Sequence, residues 1–184
     1  MAVPKPKQWM SAEEFDEFVY RPENVERRWE LIDGEVIEVP SNLYSSEVAS
    51  LIIAMLVMFV RPRGLGHVTG EGAGYIVAGN RMSPDVAFVS KSRQAELARK
   101  GYNPIAPDLM VEVLSPGNNA DEMDRKIKAC AKANVLLWIV DPNARSVRVY
   151  APGQRPALVD VSGTLTGGDA LPEFTLPVKD IFPD

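Results

Sequence analysis

The sequence predicts an α/β (α+β) layered domain with a central mixed β-sheet flanked by helices, and three observations support this. The runs "SPDVAFV" (83–89), "PDLMVEVLSP" (107–116) and "VLLWIV" (135–140) are nearly continuous in apolar residues, as strands buried on both faces are. Between the last two, residues 120–133 repeat apolar side chains at helical spacing. At 184 residues the chain is long enough for one domain and short for two, so a single domain over 1–184 is expected.

Taken in order, Ser11 and Glu14 form a capping-box pattern ahead of Phe15 and Phe18, which predicts a short first helix. "RRWELIDGEVIEVP" reads as two strands turning at Asp33-Gly34. Residues 45–61 form the second helix. Being apolar all round, it is either central to the core or part of a subunit interface. The glycines at 64, 66, 70, 72 and 74 supply turns between that helix and a strand at Tyr75–Val77. No Gly-Lys-Ser/Thr follows them, so they do not read as a nucleotide cradle. Residues 92–100 look like a short helix, and 109–114 is a strand. The helix near 120–133 stops at Asn134, which tolerates the left-handed conformation. "DPNAR" is a turn, "SVRVYAP" an edge strand, and the tail "LPEFTLPVKDIF" mostly irregular.

Composition narrows the chemistry. One cysteine leaves no internal disulfide and no multi-cysteine metal site, which suits a reducing cytosol. With one histidine, a zinc site is a poor fit, and any metal would rest on carboxylate oxygens, as magnesium and manganese do. Cys130 lies on an apolar helical face and reads as core. A net charge of −5 argues against bulk electrostatic coating of nucleic acid but leaves room for a local basic rim. Candidates for such a rim include Arg61, Arg81, Arg93 and Lys100. Met1–Met10 lacks the apolar segment of a secretory leader. The stretch Val48–Val60 falls short of the ~18–20 residues that span a bilayer. A cytoplasmic protein with no membrane partner is expected.

Glu112 sits inside the apolar run 109–114, where an ionised carboxylate costs several kcal/mol unless it is paired or metal-bound. Asp85 is the second acid in a buried strand, and two carboxylates from neighbouring strands can converge on one divalent ion. Asp108 lies four residues from Glu112 along one strand, about 13 Å, too far to share a metal. The competing reading is a pair of structural acids satisfied by backbone amides or an arginine. On a helical wheel of 123–134, Met123, Ile127, Cys130 and Ala131 form the apolar stripe, with Ala133 at its edge. Lys126 borders that stripe and can point toward the sheet, or merely snorkel along its edge. Arg125, Lys128 and Lys132 fall on the opposite, solvated side.

"SPDVAFV", "PDLMVEVLSP" and "DRKIKACAKANVLLWIVDP" followed by "SVRVY" resemble the Uma-type restriction-endonuclease-like proteins of bacteria, in the PD-(D/E)XK nuclease superfamily. "WELIDGEVIEVP" and "LPEFTLPVKDIF" extend the resemblance over nearly the whole chain. It implies a restriction-endonuclease-like core and a phosphodiesterase using Mg2+ or Mn2+. Asp85 would be the motif aspartate and Glu112 the second acid, both on the metal, joined by the backbone carbonyl of Val113. The usual lysine position, two residues after the acid, is Leu114; the family is similar in moving the lysine to the next helix, at Lys126. Glu30 matches the upstream glutamate, although by itself it could be an exposed hairpin residue. Many members carry a histidine shortly before the second helix, where this chain has Ser45.

The expected function is therefore a divalent-metal-dependent endonuclease acting on DNA, homodimeric through helix 45–61. The alternative is a catalytically inactive nucleic-acid-binding or protein-interaction module on the same fold.

Overall fold

Alternation along three strands decides which side chains meet. The structure, a computed structural model, describes residues 7–39 and 42–183. Most of the Met1–Met10 stretch and Pro40 of the predicted hairpin thus lie outside the described residues. The chain runs β1 (Gln8–Trp9), α1 (Ala12–Phe18), β2 (Trp29–Ile32), β3 (Glu35–Glu38) and α2 (Leu43–Arg63). It continues through β4 (Gly66–Gly70), β5 (Tyr75–Val77), β6 (Asn80–Met82), β7 (Val86–Ser90), β8 (Leu109–Val113) and α3 (Ala120–Lys132). It ends with β9 (Leu136–Asp141), β10 (Ser146–Tyr150), β11 (Ala157–Asp160), β12 (Thr164–Gly167), β13 (Leu171–Pro177) and a 3-10 turn, Val178–Ile181.

The central sheet is six-stranded and mixed, in the order β11-β10-β9-β8-β7-β4. Only β8 and β9 are parallel within it, and α3 is the crossover that joins them. Val86, Phe88, Leu109, Val111, Val113, Trp138 and Val140 point to one face, where α2 lays down Val48, Ile52, Leu56 and Val60. Ala87, Met110, Leu137 and Ile139 point to the other, against Ala129 and Cys130 of α3. Each such fully buried aliphatic or aromatic side chain stabilises the fold by roughly 1.5–3 kcal/mol. A second sheet, β1-β3-β2-β6-β5, closes over α3 through Tyr75, Val77 and Met82 and carries α1 on its far side through Leu31, Phe15 and Phe18.

The predicted caps and turns form. Ser11 Oγ accepts from the Glu14 N–H at 3.2 Å while the Glu14 carboxylate accepts from the Ser11 N–H at 2.8 Å. Asp33 and Gly34 turn the β2–β3 hairpin with φ of 50° and 85°. Asn134 ends the α3 connection in the left-handed region, φ 55°.

Other expectations are corrected. Residues 92–100 are not a helix but turns. The Gln94 side chain is committed to Asn103 by reciprocal bonds of 2.9 and 2.7 Å, and Asn103 is bridged to β5, which holds the segment in a loop. Residues 66–70 are a strand rather than turns. Gly66 is needed there because a Cβ would come 2.2 Å from the Val89 carbonyl oxygen. β10 is not an edge, since β11 pairs beyond it. The tail contains β13, hidden from a period-2 reading by the irregularity of its register with β12. α2 is 21 residues, longer than 45–61, and by length and composition alone is apolar enough to cross a membrane. Here one face is buried against the sheet, while Leu43 and Met58 on the other are exposed.

Candidate active site

Glu112 alternates with Val111 and Val113, which face α2, so its carboxylate is sent to the α3 side of the sheet. The β7–β8 register, Val86 opposite Val111, places Asp85 across from Glu112 when continued by one residue. Opposed residues of an antiparallel pair share a face. β7 ends there, and Asp85 instead turns one oxygen back onto β8: its Oδ2 accepts the Val113 N–H at 2.7 Å. Val113 thus contributes its N–H to Asp85.

On α3, Lys126 is 2% exposed and points into the space between the two sheets. Its Nζ donates to Glu112 Oε2 at 3.0 Å and to Glu30 Oε1 at 3.0 Å, with Glu30 Oε2 at 2.8 Å. Glu30 comes from β2 and is completely buried, its Oε1 also accepting the Ser83 N–H at 2.7 Å. The hairpin glutamate is therefore an interior residue. The structure brings Glu30, Asp85, Glu112, Val113 and Lys126 together in one cluster drawn from three elements, β2, β8 and α3, and the residue before β7. Leu114, at the usual lysine position, packs among apolar neighbours and donates its N–H to Val140.

The charges do not cancel. Three carboxylates face one ammonium, an excess of two negative charges when all are ionised. Burial raises the Glu112 carboxyl far above its ordinary range, to about 8, against the pull of Lys126; the charges of Glu30 and Asp85 push the same way. Burial also raises Asp85, opposed by the Val113 N–H and by Arg28. For Lys126 burial disfavours the ammonium, but Glu112 and Glu30 outweigh it and hold the lysine charged.

Whether these residues suit a metal turns on their unused oxygens. Glu112 Oε1 is buried with no hydrogen-bond partner among the described residues, and Asp85 Oδ1 has only a 3.5 Å contact to Arg28. Among the described residues no three His, Cys, Asp or Glu side chains gather into a metal-holding group. Two carboxylate oxygens and surplus negative charge fit a hard divalent ion that completes its shell with backbone carbonyls, waters or phosphate oxygens. They do not fit zinc.

Other candidates fall elsewhere. Asp108 accepts from Ser90 N–H at 2.7 Å and pairs with Arg93 at 3.1 Å, at the opposite end of β8. His67 is engaged with the Ala95 carbonyl oxygen at 3.1 Å. Burial pushes the Cys130 thiol up to about 12, as expected of a core residue. Of the proposed basic rim, Arg81 is committed to Asp16 and Arg93 to Asp108.

Arg28 went unrecognised in the sequence, and Arg125, Ala129 and Ala131 were misplaced. Arg28 precedes Glu30 by two positions, hence shares its face of the strand, and its guanidinium reaches Asp85. Arg125 is not on a solvated side: it donates to the Ile32 carbonyl at 3.0 Å and pairs with Glu35 at 2.8 Å, because the second sheet covers that flank of α3. On the same helix Ala131 is exposed and Ala129 takes its place in the core. Ser45 donates from Oγ to the Leu114 carbonyl at 3.2 Å, tying the start of α2 to the end of β8.

The comparisons agree with this architecture. The sequence profile of the Uma2 family, described as "Putative restriction endonuclease", matches residues 12–179. A solved structure from Anabaena variabilis ATCC 29413, described as "a putative nuclease belonging to DUF820", is 26% identical and superposes with a TM-score of 0.77. That alignment covers 91% of this chain and 96% of the other. A comparison with curated proteins finds no match. The restriction-endonuclease-like resemblance read from the sequence is borne out, and the chain belongs to the Uma2 family.

Proposed function

We propose that this protein is a divalent-metal-dependent endonuclease that hydrolyses phosphodiester bonds of DNA. The observation that carries this reading is the buried Glu30–Lys126–Glu112 network beside Asp85, with carboxylate oxygens left over on Glu112 and Asp85. A purely structural ion-pair network has no use for an excess of buried negative charge.

Asp85, Glu112 and the carbonyl of Val113 would hold the ion, Mg2+ or Mn2+. Such an ion supplies Lewis-acid polarisation of the phosphate and a more acidic water. Lys126 fixes Glu112 through Oε2, so that Oε1 stays available, and its ammonium offsets negative charge that grows on the phosphate. Glu30 is a positioning residue that grips Lys126 from β2.

Assays on plasmid DNA, single-stranded DNA and RNA, with Mg2+, Mn2+ or a chelator, test the reading. Lys126→Ala should lower the rate by at least ~100-fold. Equal cutting by the variant overturns the role of Lys126. Binding of DNA without cleavage by the wild type favours the inactive binding module instead.

The reading includes a homodimer built on the outer face of α2, supported by the exposure of Leu43 and Met58 on an otherwise apolar helix. A reducing cytoplasm suits the single, buried thiol.

A further inference from the structure

Arg28 is held in an unusual way for a structural arginine. The Val39 N–H donates to its carbonyl at 3.0 Å, so strand geometry extends back to it and its side chain falls on the same face as Glu30. Nη1 pairs with Glu71 at 2.8 Å. Nη2 donates to the Ser83 carbonyl at 3.1 Å and reaches Asp85 Oδ1 only at 3.5 Å, while Nε–H has no acceptor among the described residues. Asp85 is held more firmly elsewhere, by the Val113 N–H. The Arg28 side chain is 21% exposed and lines a cleft of about 210 Å³ that also has Tyr20, Trp29, Glu71 and Ser83 on its walls.

We infer that Arg28 binds a phosphate oxygen of the nucleic-acid substrate, and that in the free protein it screens the Asp85 carboxylate. This rests on the nuclease reading above and adds a residue to it. Guanidinium groups bind phosphate through N–H bonds, and Arg28 commits Nη1 only to the half-exposed Glu71 and keeps a buried Nε–H without an acceptor among the described residues. A divalent ion on Asp85 Oδ1 would supply the charge Arg28 now supplies, so the two cations compete for one oxygen. Glu71, on the loop after β4, competes with the phosphate from the other side.

The test titrates Mn2+ into wild type, Arg28→Ala, Arg28→Lys and Glu71→Gln, with no nucleic acid present. It then measures binding of a phosphorothioate-blocked DNA oligonucleotide in Ca2+. Arg28→Ala should bind Mn2+ several-fold more tightly and the oligonucleotide roughly tenfold more weakly. Arg28→Lys keeps the charge and loses the fork, so Mn2+ affinity stays near wild type while the oligonucleotide weakens. Glu71→Gln frees the guanidinium and should tighten oligonucleotide binding; it decides the question if Arg28→Ala does not fold. Both affinities unchanged in Arg28→Ala, or oligonucleotide binding unchanged in Arg28→Lys and Glu71→Gln, overturns the inference and leaves the nuclease reading standing. A wild type that neither binds Mn2+ nor cleaves DNA overturns the nuclease reading and this inference with it.

Discussion

Lys126 keeps its charge in the interior because two carboxylates hold it, and they in turn depend on it. Removing one member of a buried pair leaves an uncompensated charge, so Lys126→Met should cost about 3–5 kcal/mol at pH 8. Urea denaturation measures this, and a loss below ~1 kcal/mol would show that the carboxylates are not buried with it. Part of the loss should return at pH 5, where the Glu112 carboxyl, raised by burial, takes up a proton. Glu112 gives a second expectation. Its folded-state pKa, about 8, lies above its ordinary 4.5, so folding favours the protonated acid. That stabilising contribution is fully present below pH 4.5 and is lost as pH rises through 8. Metal-free wild type should therefore lose stability between pH 5 and 9, with Glu112→Gln nearly flat by comparison. Matching slopes for the two proteins would place the carboxyl in water. Both acids and the lysine were legible in the sequence, because a lone charge in an apolar run has few explanations. Arg28 was not, although alternation from Glu30 would have placed it on the same face.

At the scale of elements, caps and turns were readable because they depend on neighbours within four residues. Asn134, at φ 55°, illustrates this: Asn134→Ala should destabilise by roughly 1–2 kcal/mol, whereas Asn134→Gly should not. Thermal denaturation of the two variants checks it. Arg125 shows the limit of such reading. A helical wheel assumes one covering surface, and α3 has two, so a residue opposite the stripe still met Glu35 and the Ile32 carbonyl. α2 raised the complementary difficulty. An all-apolar helix states no orientation, and only the packing of Val48, Ile52, Leu56 and Val60 on the sheet shows which side remains outside. Met58, 70% exposed, is on that outer side, so Met58→Glu should change monomer stability little. If α2 forms the dimer, light scattering should find the variant monomeric. A monomeric wild type would remove the interface.

Over the whole molecule, the two sheets enclose a site whose net negative charge only a cation or a proton can relieve. Mn2+ should stabilise the fold by about 2.7 kcal/mol at a hundred times its dissociation constant, raising the melting temperature in a concentration-dependent way. The shift should vanish in Asp85→Ala, and calorimetry in buffers of different ionisation enthalpy should detect proton release as Glu112 ionises. A shift unaffected by Asp85→Ala would place the ion elsewhere. The sequence by itself determined the strand that carries Glu112, the strand that Asp85 precedes, and the helix that carries Lys126, since each follows from local periodicity and the cost of buried charge. Only the tertiary structure decided that Glu30 is interior, that Arg28 and Arg125 flank the cluster, and that the 92–100 segment and the tail fold otherwise than expected. The placing of Arg28 beside Asp85 and of Lys126 beside Glu30 joins residues 57 and 96 positions apart, and no local pattern encodes which distant surfaces will meet.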